Sequence, residues 1–167
     1  MALFFIIIML ATAGIGVGIW YEDDILHLDH QRASDFTSIE EMLWVKQQTT
    51  QTANVPGTLC QAMLKLRYNG GYRFQYIIYV QTRYEPRRLS AFVTTLTTGM
   101  TGNRHTHHTV SYKAMQSCRL LQTSRTVNLP IPEDCSRVYA QNCPRDISQI
   151  YQPFCGASLP KIVEWSQ

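Results

Sequence analysis

The 167-residue sequence lacks several features that would place it in common functional classes. It has no Cys-x-x-Cys pair, which argues against a structural zinc site. No asparagine is followed two positions later by Ser or Thr, so the chain offers no acceptor for N-glycosylation. It also has no internal repeat, low-complexity tract or clear domain boundary. These absences favour a single domain with no metal and no cofactor.

Ionisable side chains are missing from the first 21 residues, and residues 4–10 form an apolar run. The small residues Gly16 and Gly18 follow where a signal peptidase would cut. We therefore expect residues 1–18 to be a signal peptide and residues 19–167 to be a single secreted, extracellular domain with no integral membrane span. The alternative is an uncleaved anchor, since the apolar run is long enough to enter a bilayer.

Negative charge is scarce in the middle of the chain. Between Leu43 and Ile131 the only carboxylate is Glu85, against eleven Lys and Arg residues, which gives this region a local charge of +10. Such a region can bind an anionic ligand, a glycosaminoglycan or a membrane surface, or it can be the solvated exterior of a barrel. We expect no nucleic-acid partner.

Apolar and polar residues alternate in most of this basic region, as they do in strands with one buried face. Asn69-Gly70-Gly71 separates two such segments and can supply the positive φ angles of a tight hairpin. The predicted strands are residues 43–47, 59–68, 72–81, 89–98, 109–114 and 117–121, the last two being either separate strands or one bent strand.

Helix signals flank the strands. Ser38-Ile39-Glu40-Glu41 matches a capped helical turn, and Pro132-Glu133-Asp134 is typical of a helix start. Five cysteines in a secreted chain should be mostly paired, with one left over. We predict a mainly β fold: an antiparallel, lipocalin-like barrel with a short N-terminal helix and a C-terminal helix packed outside, stapled by disulfides.

The order of these parts resembles the salivary lipocalins of ticks, also called tick histamine-binding proteins. The resemblance rests on the leader, an acidic helix before Trp44, Leu59-Cys60 on the second strand, Cys118 on a late strand, and Cys135, Cys143 and Cys155 near the end. It implies an eight-stranded calyx, a Cys60 to Cys155 disulfide, and a Cys118 to Cys135 disulfide that leaves Cys143 free. It also implies a binding protein that dampens host defence, not an enzyme.

The charge distribution indicates which ligand such a calyx would hold. A buried amine needs a carboxylate partner, and the predicted strands offer only Glu85. In amine-binding relatives an Asp follows the second-strand cysteine, whereas Gln61 follows Cys60 here. We therefore favour an apolar or anionic lipid over histamine or serotonin, with a host protein bound through the surface as a further alternative. Candidate ligand-contacting residues are Trp44, Leu64, Leu66, Phe74, Tyr76, Ile78, Arg83, Arg87, Phe92 and Tyr112, and Trp44 can instead be structural.

Two other patterns bear on chemistry. His105-Thr106-His107-His108 can bind a metal, but its Gly-Asn-Arg context and the lack of nearby carboxylates favour a solvated loop. Cys143 with one of these histidines is the only nucleophile and base pair available. Nothing in the sequence supplies an oxyanion site or an orienting carboxylate, so we expect no catalysis.

Overall fold

A computed structural model describes residues 32–49, 58–82, 89–100, 105–107, 109–111, 118–143 and 146–158. Seven strands form one antiparallel sheet in the spatial order β5-β4-β3-β2-β1-β6, and β7 pairs with β1. The sheet curls into a half-barrel, so the predicted mainly β, disulfide-stapled fold is confirmed. The elements are α1 (Ala33–Thr37), β1 (Leu43–Thr49), β2 (Thr58–Tyr68), β3 (Arg73–Thr82), β4 (Leu89–Gly99), β5 (Thr109–Ser111), β6 (Arg119–Thr123), α2 (Glu133–Asn142), β7 (Ile147–Gln149) and α3 (Cys155–Ser158).

The predicted signal peptide lies outside the described residues. Within them, no helix is both long and apolar enough to cross a membrane. The described sheet has seven strands, and its outer members β5 and β6 are not neighbours in it. The two segments predicted after residue 108 are therefore two separate strands.

The long hairpin of β2 and β3 forms the centre of the sheet. It runs from Tyr68↔Phe74 to Thr58↔Thr82, with register shifts near each end. Gly70 and Gly71 have φ angles of 78° and 57°, as the predicted tight turn requires. Tyr72 also has a positive φ of 61°, so it belongs to the turn and the strand begins one residue later than predicted.

β1 joins the hairpin to the C-terminal part of the chain. Its first two residues, Leu43 and Trp44, pair with β2, whereas residues 47–49 pair with β7. β6 occupies the opposite edge of β1 over most of its length. The register shifts at Lys46, whose carbonyl accepts hydrogen bonds from the chain just after β7. The C-terminal segment therefore takes the position that β2 leaves.

The predicted helical turn at residues 38–41 is wrong. Helix α1 precedes it and ends at Thr37, and Ser38 donates from its amide and hydroxyl to carbonyls of the last turn of α1. Glu41 does not close a capping box, because its carboxylate accepts a hydrogen bond from the Arg125 amide at 3.2 Å. The sequence pattern was present, but its two ends make other contacts.

Two disulfides tie the C-terminal segment to the sheet. Cys60 bonds to Cys155, with 5.6 Å between their Cα atoms, as the family resemblance implies. The implied bond between Cys118 and Cys135 is wrong: Cys118 bonds to Cys143, with 5.9 Å between their Cα atoms. Cys135 is the free and exposed thiol.

The direction of α2 explains this pairing. Residues 124–132 connect β6 to α2, and α2 runs back along the strand so that the chain at its end reaches Cys118. Tyr139 marks that end, since its hydroxyl donates to the Cys118 carbonyl at 3.2 Å. Cys135 lies eight residues before Cys143, a rise of about 12 Å along a helix. That distance exceeds the span of a disulfide, so Cys118 can reach only one of the two.

Candidate functional site

The two faces of the sheet carry different clusters of buried side chains. The "α1 face" is the face against which helix α1 packs. The "C-terminal face" is the one covered by Val127, Tyr151 and Cys155. The α1 face carries Leu43, Met63, Tyr76, Ile78 and Leu96, and the C-terminal face carries Trp44, Cys60, Ala62, Ile77 and Tyr79.

Tyr76 lies at the centre of the α1 face. Its ring stacks on Phe36 of α1, with 5.8 Å between the ring centroids, and only 1% of the residue is exposed. Its hydroxyl is buried and has no hydrogen-bond partner in the part of the chain that the structure describes. Burial, with a smaller contribution from the Glu40 carboxylate, raises the pKa of Tyr76 to about 12. The phenol therefore stays protonated at physiological pH and can donate a hydrogen bond to a bound acceptor.

Two carboxylates that follow α1, Glu40 and Glu41, are paired with cations. Lys65 forms an ion pair with Glu40 and also donates to the Thr37 carbonyl at 2.7 Å. Glu41 contacts the Arg125 guanidinium at 3.7 Å and the Arg125 amide. A protonated amine that bound to either of these two carboxylates would have to displace Lys65 or Arg125. The site is thus better suited to a hydrogen-bond acceptor than to a cation.

On strand β4, side chains of the α1 face become exposed to solvent. Phe92 lies directly across from Ile78 and is 50% exposed, although Ile78 is buried. Its neighbour Val93, on the C-terminal face, is 47% exposed. Half-buried Phe74 adds a second ring to the α1 face beyond Tyr76 and packs on Tyr68, with 5.0 Å between centroids. Apolar surface therefore continues from the buried centre of the α1 face to its rim.

The C-terminal face is closed by the chain itself. The Trp44 and Tyr151 rings meet edge to face at 5.2 Å, and the Trp44 Nε1 donates to the Ser124 hydroxyl at 3.0 Å. The Tyr151 hydroxyl donates to Asn128 at 3.0 Å. Cys60 packs in the same cluster through its disulfide. These contacts place Trp44 inside the packed cluster of the C-terminal face, where its role is structural.

The predicted ligand-contacting residues are thus divided between the two faces. Because Met63 pairs with Ile78 and Leu64 pairs with Ile77, Leu64 and Leu66 lie on the opposite face from Ile78. The structure brings Phe74, Tyr76, Ile78 and Phe92 together on the α1 face, and places Trp44, Leu64 and Leu66 on the C-terminal face. Arg83, Arg87 and Tyr112 lie outside the described residues.

Sequence reasoning missed the residues that complete the α1 face. Met63 and Leu96 are buried there, and Phe36 and Ile39 cover them from the side of the helix. Met63 follows from strand parity with Gln61, the residue used in the argument about amines, so the signal was available. Phe36 had no strong signal, because the helix was predicted to start five residues too late.

In the described part of the histidine segment, the His107 side chain makes packing and hydrogen-bond contacts. His107 hydrogen-bonds to the Thr98 hydroxyl at 2.8 Å and packs on the Tyr72 ring, with 4.0 Å between centroids. His105 is exposed, and His108 lies outside the described residues. No group of three potential metal ligands occurs among the residues that the structure describes. His107 therefore joins the β2–β3 turn to the end of β4.

Comparison with known proteins gives a distant structural likeness. No family model and no curated protein matches the sequence. Among solved structures, the chain is similar to Japanin from Rhipicephalus appendiculatus bound to cholesterol, with a TM-score of 0.44 and 11% sequence identity. The match covers 67% of this chain and 92% of that one.

Proposed function

We propose that the protein is a secreted, lipocalin-type carrier that captures an apolar or anionic lipid on the α1 face of its half-barrel. Residues 1–18 would be the cleaved leader and residues 19–167 the single binding domain. In this proposal the protein removes a host mediator of inflammation, haemostasis or immunity, as the resemblance to tick salivary lipocalins implies. It carries out no reaction on its ligand.

The observation that supports this proposal is the buried Tyr76 hydroxyl on an otherwise apolar surface. A buried donor without a partner costs about 1–3 kcal/mol, and a bound acceptor recovers that cost. A lipid carboxylate or carbonyl is such an acceptor, while the hydrocarbon body covers Ile78 and Phe92. The ligand thus accepts the hydrogen bond that the Tyr76 hydroxyl otherwise lacks.

The same surface argues against biogenic amines. Histamine and serotonin carry a positive charge that needs a free carboxylate in a site withdrawn from water. Glu40 and Glu41 are engaged by Lys65 and Arg125. A lipid that accepts a hydrogen bond from Tyr76 needs none of these groups to move, which is why we favour lipid over amine.

Titration with cis-parinaric acid, a fluorescent fatty acid, tests the proposal on the purified secreted protein. We expect saturable binding that weakens at least tenfold in Tyr76→Phe, because one hydrogen bond to a charged acceptor contributes about 1.5–3 kcal/mol. Phe92→Ser should also weaken binding. Val93→Ser is the matched control, since this neighbour is similarly exposed but lies on the other face.

Three results would contradict the proposal. They are the absence of saturable binding, equal losses in Phe92→Ser and Val93→Ser, and an unchanged affinity in Tyr76→Phe. Organic extraction of the purified protein followed by mass spectrometry adds an independent readout. A recovered lipid supports the carrier, whereas an empty protein that binds a host protein tightly contradicts it.

A further inference from the structure

A cavity lies between strand β6 and helix α2. Its volume is about 760 Å³, large enough for a molecule of several rings. Leu120 lines it from the strand, and Val138 and Tyr139 line it from the helix. The Cys118–Cys143 disulfide fixes the end of the helix against the start of the strand. We call this cavity the β6–α2 cleft.

Gln122 contributes a buried polar side chain to the β6–α2 cleft. The residue is only 8% exposed, and it lines the cleft from the middle of β6. Its Nε2 makes a long hydrogen bond of 3.5 Å to the Pro130 carbonyl. Its Oε1 is buried and accepts no hydrogen bond from the described part of the chain. An amide oxygen can only accept, so what completes it must be an O–H or N–H donor.

The charges around the cleft select the ligand further. Arg119 lines the cleft and donates from Nε to Gln48 at 3.2 Å, and its positive charge disfavours a cation. At the rim, Arg137 pairs with Asp134 at 2.6 Å, so these two charges neutralise each other. The remaining lining is mostly apolar side chain from both elements. An uncharged molecule with one donor group matches all of these features.

We propose that the β6–α2 cleft is a second binding site, separate from the α1 face, for an uncharged apolar molecule that carries a hydroxyl group. The hydroxyl donates to Gln122 Oε1, and the apolar body lies between Leu120 and Val138. This inference does not depend on the proposed lipid site, because the two surfaces share no side chain that either argument uses. The free thiol of Cys135 lines the same cleft and is exposed, which makes it a natural reporter of occupancy.

A matched pair of probes tests the hydroxyl requirement. 1-Naphthol and 1-methoxynaphthalene have the same ring system, but only the first can donate a hydrogen bond. We expect the protein to bind 1-naphthol about tenfold more tightly, the ratio that about 1.4 kcal/mol produces. Gln122→Leu should remove this preference. Gln141→Leu, the same change on α2 outside the cleft lining, should keep it.

Protection of Cys135 shows where the probe binds without relying on a variant. The rate at which this thiol reacts with a disulfide reagent should fall several-fold when 1-naphthol saturates the protein. Phe92→Ser, on the α1 face, should leave both the preference and the protection unchanged. Equal affinity for the two probes, or an unchanged thiol reaction rate at saturation, would overturn the second site. Loss of cis-parinaric acid binding with intact naphthol binding would overturn only the lipid proposal.

Discussion

The two faces of the sheet contain similar amounts of apolar side chain but are covered in different ways. The C-terminal face is closed by a disulfide and by rings whose polar atoms, Trp44 Nε1 and the Tyr151 hydroxyl, are hydrogen-bonded. The α1 face is covered by a five-residue helix, and the Tyr76 hydroxyl at its centre has no described partner. Among the rings of the closed face, Tyr79 differs, since its hydroxyl is also buried without a described partner. In the function proposed above, the closed face provides stability and the α1 face provides the binding surface.

Removing the disulfide of the C-terminal face should have the largest effect on stability. The double substitution Cys60→Ala and Cys155→Ala opens a loop with a sequence separation of 95 residues. Loop-closure entropy for a loop of this size predicts a loss of about 4–5 kcal/mol in the free energy of unfolding. Urea denaturation measured by tryptophan fluorescence gives this value directly.

The matched control is Cys135→Ala, which removes the free thiol and should leave stability within about 0.5 kcal/mol of wild type. Removing Cys118 and Cys143 together opens a shorter separation of 25 residues. The same entropy relation makes that loss about 1 kcal/mol smaller. A larger loss from the shorter loop, or from Cys135→Ala, would show that the C-terminal staple is not the main support of the sheet.

Aromatic substitutions on the two faces should differ in their cost. Trp44→Phe removes the hydrogen bond to Ser124 and leaves a gap beside Tyr151, so we expect a loss of about 2–3 kcal/mol. Tyr76→Phe removes only a hydroxyl that has no described partner, so stability should change by less than about 1 kcal/mol or rise. Equal losses in the two variants, measured by urea denaturation without ligand, would remove the distinction between the faces.

The architecture of the sheet was largely predictable from sequence, because its longest strands are joined by local signals. Strict alternation and the Asn69-Gly70-Gly71 turn define β2 and β3 to within a residue or two. β7 and α3 were missed because each is very short, and β7 exists only through its pairing with β1. Short elements of this kind depend on tertiary contacts that a local pattern does not contain.

The candidate site was predicted only in part, for a reason of strand parity. Alternation identifies the two sets of side chains on a strand, but it does not say which set of one strand shares a face with which set of the next. Here Leu64 and Ile78 were assigned to one wall, and the register separates them. The predicted disulfide partner of Cys118 was wrong for a similar reason, since the choice between Cys135 and Cys143 depends on the direction of α2.

Alkaline pH should weaken the protein through the α1 face. In the unfolded chain the tyrosine pKa is near 10, whereas burial raises the pKa of Tyr76 to about 12 in the folded state. A group with a raised folded-state pKa contributes its stability fully below pH 10 and loses it as pH rises from 10 to 12, because only the unfolded state then releases the proton. We expect the free energy of unfolding to fall by about 1–2 kcal/mol more in the parent than in Tyr76→Phe across this interval.

Both proteins should carry Cys135→Ala, so that no free thiol exchanges with the disulfides at high pH. Burial also raises the pKa of Tyr79 and Tyr139, so both proteins lose some stability, and only the difference between them reports on Tyr76. Parallel pH profiles would show that the Tyr76 hydroxyl is solvated in the folded protein, and the α1 face would then have no buried donor to offer a ligand.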